Sequence, residues 1–144
     1  MVAYADTGFI VSIYREETTS ERASHLVNRL SEPLPLTPLL LLEFRNAINL
    51  AVKRGEFDLR QRDSVWRAFE ADISNGVFAH APVSTPEIYL KARELSDTHS
   101  PKIGTRSLDL LHIATALVLG SKEFLTFDDR QAKAAKAEGL KVRP

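Results

Sequence analysis

Four carboxylates, at the ends of predicted strands or in the early turns of predicted helices, are the side chains best suited to chemistry. Asp6 follows a short apolar run at residues 2–5, and Asp128 follows another at residues 124–127. Glu43 and Asp109 lie early in two predicted helices. Because ligands bind outside the carboxyl ends of the strands in an open parallel α/β sheet, we expect all four acids at one rim.

The three aspartates also have a simpler interpretation in which they only stabilise helices. Asp6 and Asp128 could each cap the helix that follows, with Asp129 competing for the second position. Asp109 could complement a helix dipole. Taken singly, each aspartate fits this structural role better than a catalytic one, because acidic helix starts are common.

Glu43 is harder to explain by structure alone. At 100° per residue it shares one sector of its helix with apolar side chains, while Arg45 and Asn49 lie opposite. A buried carboxylate is costly unless it is paired or binds a metal ion. We therefore expect Glu43 to mark a site; the alternatives are a buried salt bridge or a position at the edge of the apolar stripe. The apolar members of the sector are Leu39, Leu40, Phe44, Ala47, Ile48, Leu50 and Ala51.

The segment 107–120 is apolar almost all round, which predicts a buried helix with Ser107 as its N-cap. A charged residue in its first turn, Asp109, then points into a cleft at the rim. His112 lies one turn later and fits a hydrogen-bonded core residue better than a ligand or a general base.

Two threonines could support the acids by hydrogen bonds. Thr126 and Asp128 are two residues apart and share one face of the predicted strand. Thr126 could therefore hold a carboxylate from behind, and Thr7 could do the same beside Asp6.

The available ligands are oxygens, which favours a hard metal ion. The chain has no cysteine, and His25, His80, His99 and His112 form no metal-ligand spacing. Carboxylates suit Mg²⁺ or Mn²⁺ rather than zinc or copper. Several carboxylates at one site repel one another, and a cation removes that repulsion. Glycine-rich phosphate loops and the common zinc and calcium motifs are absent from the sequence.

Short apolar strands alternate with helices along the chain, which predicts a three-layer α/β/α fold with a parallel sheet. We expect one domain over residues 1–144, with a helical hairpin inserted between the second and third strands. The predicted strands are residues 2–5, 34–37, 77–83, 124–127 and 140–142. The predicted helices are 7–15, one capped by Ser20, 38–55, 58–75, one capped by Thr85 that fades before the polar stretch 96–105, 107–120 and 130–138.

Composition narrows the class of protein. A formal net charge of zero weighs slightly against nucleic-acid binding, although only the local surface matters to a phosphate. The segment 130–143 has five basic residues against one acid, and is either a phosphate-binding face or a solvated helix face. The lack of cysteine fits a reducing cytoplasm. We expect no signal peptide and no membrane span, because the longest nearly uncharged run, 33–42, is short and contains prolines.

The chain resembles the PIN domain, and within it the toxins of VapBC-type toxin–antitoxin systems. Four segments carry the resemblance, in the family's order: YADTGFI, LLEFRNAI, SLDLLHIATAL and FLTFDDR. It implies a Mg²⁺- or Mn²⁺-dependent ribonuclease, a homodimer, a cognate antitoxin that blocks the site, and structured RNA such as tRNA or ribosomal RNA as substrate. The acidic site carried over is Asp6, Glu43, Asp109 and Asp128, with Thr126 as the small polar residue before the last acid.

In this interpretation Asp6, Glu43 and Asp109 are the primary metal ligands, and Asp128 completes the site or orients water. Arg130 and Lys133 are candidate phosphate contacts. One alternative is a phosphohydrolase with an aspartyl nucleophile at Asp6, although no second acid follows two residues later. Another is a non-catalytic RNA- or protein-binding module.

A partner surface is also conceivable from the sequence. The face around Leu26, Leu30 and the inserted helices is apolar enough to hold a partner helix. Ordinary core packing explains most of the same pattern.

Overall fold

The computed structural model describes residues 2–144, which form five short strands and seven helices within that range. The strands are β1 (Ala3–Ala5), β2 (Leu34–Leu36), β3 (Phe78–His80), β4 (Glu123–Leu125) and β5 (Lys141–Arg143). The helices are α1 (Thr7–Tyr14), α2 (Ser20–Val27), α3 (Pro38–Lys53), α4 (Leu59–Ser74), α5 (Thr85–Ile103), α6 (Ser107–Val118) and α7 (Asp129–Ala137). The predicted α/β alternation is confirmed.

Every strand pairing in the described range is parallel. The hydrogen-bonded ladders are β1-β4-β5 and β2-β3, and β1 lies next to β2. All three residues of β1 and of β2, and Phe124 and Leu125 of β4, are buried, so both faces of these strands are covered. The parallel arrangement brings the carboxyl ends of β1 and β4 together, because Ala5 is in register with Leu125.

Helices cover the strands in two groups. α1 packs on α2 and α3, whereas α6 packs on α5 and α7. The predicted hairpin insertion is present as α3 and α4 between β2 and β3. It closes over an aromatic cluster in which the rings of Phe44 and Phe69 stack with centroids 4.4 Å apart. No helix of the described chain is both long enough and apolar enough to cross a membrane.

The prediction that the fifth helix fades before residue 96 is wrong, because α5 continues to Ile103. Ala92, Leu95 and His99 are buried at helical spacing. His99 can be buried because its Nε2 donates to Glu138 Oε2 at 2.7 Å. Gly104, in the left-handed conformation with φ of 73°, ends the helix.

Three predicted caps are also wrong. Ser20, Thr85 and Ser107 are each the first residue of their helix rather than the N-cap before it. The Ser20 hydroxyl donates instead to the carbonyl oxygen of Arg15. In α6 the first turn is closed by Asp109, whose Oδ2 accepts from the backbone N–H of Arg106 at 3.3 Å.

The strands are mostly shorter than their apolar runs. β3 ends at His80 rather than residue 83, since Pro82 has no N–H to continue the ladder. β4 ends at Leu125 rather than residue 127. The last strand is shifted by one residue, to Lys141–Arg143.

Candidate functional site

The four predicted acids line one cleft of about 650 Å³ at the carboxyl ends of β1 and β4. Asp6 follows β1, Asp128 precedes α7, and Glu43 and Asp109 come from α3 and α6. The other lining residues are Thr7, Gly8, Glu17, Thr19, Arg106, Ser107, Leu108, His112, Phe127 and Gln131. The topology therefore brings together acids that are up to 122 positions apart in the sequence.

Asp6 lies at the base of the cleft and is only 3% exposed. Its Oδ1 caps α1 by accepting from the N–H of Phe9 at 2.8 Å, so the simpler capping interpretation is also true. Burial raises the pKa of Asp6 to about 6. Hydrogen bonds from Thr126 and Phe9 and the proximity of His112 act in the opposite direction, and the Asp128 carboxylate adds to the rise.

Thr126 links the two aspartates that follow β1 and β4. Its hydroxyl donates to Asp6 Oδ2 at 2.5 Å and accepts from the N–H of Asp128 at 3.0 Å. Asp128 also caps α7, because its Oδ1 accepts from the N–H of Gln131 at 2.8 Å. Asp129, the other candidate for the fourth acid, is exposed on α7 and is not among the lining residues.

Glu43 lies at the edge of the buried face of α3, with 22% of its side chain exposed. The expected sector is correct for Phe44 and Ile48, which are buried, but not for Leu50, which is 46% exposed. Glu43 Oε1 accepts from His112 Nε2 at 2.6 Å and from the Thr7 hydroxyl at 3.0 Å. Thr7 therefore supports Glu43 rather than Asp6.

His112 is a fully hydrogen-bonded buried residue, as the sequence suggested, but it also contacts the site. The Tyr4 hydroxyl donates to its Nδ1 at 2.7 Å, which leaves Nε2 as the donor to Glu43. Burial acts to raise the pKa of Glu43, but the hydrogen bond and electrostatic interaction with His112 and the hydrogen bond from Thr7 outweigh it and hold the pKa below its usual value. Burial, together with the charges of Asp6 and Glu43, raises the pKa of the Tyr4 hydroxyl well above its usual value.

Asp109 is buried in the first turn of α6 and faces the cleft. The Arg106 side chain reaches back over it, with Nε 3.4 Å from Asp109 Oδ2. Among the described residues that line the cleft, Arg106 is the one Lys or Arg. The cleft therefore contains five carboxylates against one permanent cation, Glu17 being the fifth acid.

The donor set has the chemistry that a hard divalent cation prefers, because carboxylate oxygens surround a buried aspartate whose charge is unfavourable as it stands, but their present spacing is not that of a metal site. In residues 2–144, no group of three or more His, Asp or Glu side chains is arranged so that it could hold a metal ion. The carboxylates instead accept hydrogen bonds from the protein itself: Glu43 from His112, Asp109 from Arg106, and Asp6 from Thr126.

Arg130 and Lys133 are not brought to the cleft. Both are exposed on α7, and neither belongs to the lining residues. Arg106 is the basic residue that sequence reasoning missed. Its spacing of three from Asp109 at a helix start was an available signal, whereas nothing in the sequence links Tyr4 to His112.

The family model for the PIN domain matches residues 3–137. The chain belongs to the PIN domain family. The seven helices and the parallel strands of residues 2–144 are the PIN fold, and the four segments that resembled this family supply four of the five acids of the cleft. Comparison with curated protein sequences gives no match.

Solved structures with the same fold include toxin and toxin–antitoxin proteins. The chain is 18% identical to Mycobacterium tuberculosis VapC20, a toxin that cleaves the sarcin–ricin loop, with a TM-score of 0.68 and 99% of both chains covered. It is 16% identical to VapBC-1 from nontypeable Haemophilus influenzae, with a TM-score of 0.67, covering 99% of this chain and 97% of the other. FitAB bound to the IR36 DNA fragment is 22% identical, with a TM-score of 0.70 and coverage of 99% and 94%. At these identities the likeness concerns the fold.

Proposed function

We propose that this PIN-domain protein is a metal-dependent endoribonuclease and the toxin of a type II toxin–antitoxin pair. The observation that carries the proposal is the single cleft lined by Asp6, Glu43, Asp109 and Asp128 in a chain of this family. Carboxylates from separate elements repel one another when they lie in one cleft, and a shared divalent cation is the simplest way to offset that repulsion.

Asp6, Glu43 and Asp109 would hold Mg²⁺ or Mn²⁺, and Asp128 would complete the site or orient the attacking water. The ion supplies a lowered water pKa and stabilises the charge that develops on the phosphodiester. Thr126 keeps Asp6 in place through its hydroxyl, and His112 together with Thr7 holds Glu43. These contacts keep the two carboxylates at the cleft, and the acids would have to turn from their present positions to share one ion.

Arg106 is suited to meet the substrate. Its guanidinium lies over Asp109 at the mouth of the cleft and is largely exposed, so it can exchange the carboxylate for a phosphate oxygen. The N-termini of α1, α6 and α7 carry lining residues, and their dipoles favour an anionic phosphodiester.

The aspartyl-nucleophile alternative has little support from the geometry. Asp6 is buried, and each of its carboxylate oxygens already accepts a hydrogen bond, one from Phe9 N–H and the other from Thr126. A nucleophile must reach the substrate phosphorus directly, and a carboxylate that is 3% exposed at the base of the cleft is poorly placed to do so.

An antitoxin, a homodimer partner and a cytoplasmic site of action belong to the same proposal. VapBC-1 and FitAB, which share the fold, are complexes by name. Leu26 packs in the core and is not available to a partner, in agreement with the core-packing explanation. Exposed Leu42 and Leu50 on α3 and Tyr89 and Leu90 on α5 provide the apolar surface that a partner would need.

The test combines RNA cleavage with growth. Purified protein should cut cellular RNA with Mg²⁺ or Mn²⁺ but not with EDTA, and Asp6→Asn should lose both cleavage and growth inhibition. The control is Asp97→Asn, which removes an exposed acid of α5 outside the cleft. Retention of cleavage and toxicity by Asp6→Asn would show that the nuclease assignment is wrong. Co-expression of a neighbouring gene's product that restores growth identifies the antitoxin.

A further inference from the structure

A second, basic groove lies beside the acidic cleft. It has a volume of about 640 Å³ and runs between α2 and β5. We call it the α2–β5 groove, and its lining residues are Arg22, His25, Leu26, Arg29, Lys141, Arg143 and Pro144. Four of these seven carry a permanent positive charge, and the described lining contains no acid.

The charges of this groove are only partly neutralised. Glu123 approaches both β5 cations, with its carboxylate oxygens 3.8 Å from Lys141 Nζ and 3.5 Å from Arg143 Nε. Neither Arg22 nor Arg29 forms an ion pair with an acid in residues 2–144; both are exposed, Arg22 on α2 and Arg29 in the turn that follows it. The groove is therefore a local positive surface on a protein whose formal net charge is zero.

The groove and the cleft meet at Phe127. This residue lines the cleft, and the Arg22 guanidinium lies over its ring, 5.7 Å from the centroid. Arg22 in turn lines the α2–β5 groove. A linear polymer that extends from the cleft past Phe127 therefore reaches Arg22 and Arg29.

We propose that the α2–β5 groove binds the phosphodiester backbone of single-stranded RNA next to the bond held in the acidic cleft. The inference rests on the proposed nuclease function and says where the substrate is held. The five carboxylates of the cleft repel a polyanion and Arg106 is the one permanent cation among them, so the affinity for the rest of the strand must come from cations outside the cleft. Arg22, Arg29, Lys141 and Arg143 provide these at the cleft's border.

An acidic protein segment is the other class of ligand for such a surface, and the lining favours it less. Leu26 is buried beneath the groove, and none of the exposed large hydrophobic side chains in the described residues lines it, so the groove lacks a protruding apolar anchor for a partner. Protein interfaces depend on such anchors, whereas backbone binding of nucleic acid depends on cations.

The test measures binding without cleavage. A fluorescein-labelled, mixed-sequence single-stranded RNA of about 20 nucleotides is titrated in EDTA, and anisotropy gives the Kd at several salt concentrations. Each phosphate contact on a single strand contributes about 0.7 to the salt slope, or about fivefold in affinity at about 0.1 M salt. Arg22→Gln with Arg29→Gln should therefore weaken binding about 25-fold and lower the slope by about 1.4.

Two control proteins accompany this variant. Arg93→Gln removes an exposed arginine of α5 that lines neither the cleft nor the groove, and it should bind as the unaltered protein does. Arg22→Lys with Arg29→Lys keeps the charges and should retain most of the affinity. Circular dichroism melts of all variants show that the fold is kept.

Unchanged affinity and slope for Arg22→Gln with Arg29→Gln would overturn the proposal. So would displacement of the RNA by polyglutamate of equal charge at equal concentration, which would assign the groove to acidic protein. The nuclease proposal is tested separately. If the protein binds RNA through Arg22 and Arg29 but does not cleave it, the binding groove is supported and the nuclease proposal is wrong.

Discussion

Asp6→Asn should make the metal-free protein more stable at neutral pH, although it removes a residue of the proposed site. Burial raises the pKa of Asp6 from 3.8 to about 6. A carboxyl whose pKa is raised on folding stabilises the fold only while it is protonated, below the unfolded pKa. That stability is lost as the pH rises through the folded pKa. The shift is about two units, each about 1.4 kcal/mol, so ionising Asp6 costs about 3 kcal/mol.

Asparagine keeps the shape without the charge. Its Oδ1 can still accept from the N–H of Phe9, and its amide can donate to the Thr126 hydroxyl. We expect the stability difference between Asp6→Asn and the unaltered protein to increase by about 2 kcal/mol from about pH 4.5 to about pH 7.5. Urea unfolding in EDTA, followed by circular dichroism, measures it.

Other titrating groups are common to both proteins and cancel in this difference. Asp97→Asn, in which an exposed acid is removed, controls for the loss of one negative charge. A difference that stays constant over this pH range would refute the argument that buried Asp6 carries an unfavourable charge.

Three further predictions concern the cleft. Asp128→Ser keeps a cap for α7, so it should lose cleavage at a stability cost below about 1 kcal/mol, while Asp129→Ser should lose neither; activity assays and urea unfolding separate the two effects. Tyr4→Phe removes the donor to His112 Nδ1 and should cost about 1–3 kcal/mol in urea unfolding; a cost near zero would mean that this hydrogen bond is not formed in solution. Mn²⁺ at about 100 times its Kd should stabilise the protein by about 2.7 kcal/mol, and much less after Glu43→Gln; equal stabilisation in thermal melts would place the ion elsewhere.

The positions of the aspartates could be predicted because they depend on local rules. A parallel strand ends at a known edge of the sheet, so Asp6 and Asp128 were expected at one rim, and they line one cleft. The same logic placed Thr126 on the face of Asp128, although its hydroxyl bonds Asp6 across the sheet. Sequence position could not decide whether these aspartates only cap helices or also belong to a site. In the structure Asp6 and Asp128 do both, because each caps its helix and lines the cleft.

What the sequence could not predict depends on partners far along the chain. Helical periodicity placed Glu43 near the buried face, but not its partner His112, which is 69 positions away. The polar stretch 96–105 suggested that the fifth helix ends before it, and only the contact of His99 with Glu138 explains a buried polar residue in a continuing helix. The α2–β5 groove joins elements more than 100 residues apart, so no local pattern could reveal it.

The pairing of β1 with β4 also sets the order of events during synthesis. Ala3–Ala5 is made before Glu123–Leu125 and has no β4 partner until that strand has been made. Asp6 gains the Thr126 hydroxyl and the neighbouring Asp128 only then. A nascent chain that has not yet reached β4 therefore lacks the assembled cleft. A product that stops before residue 123 never assembles the acids, so premature termination yields no damaging fragment.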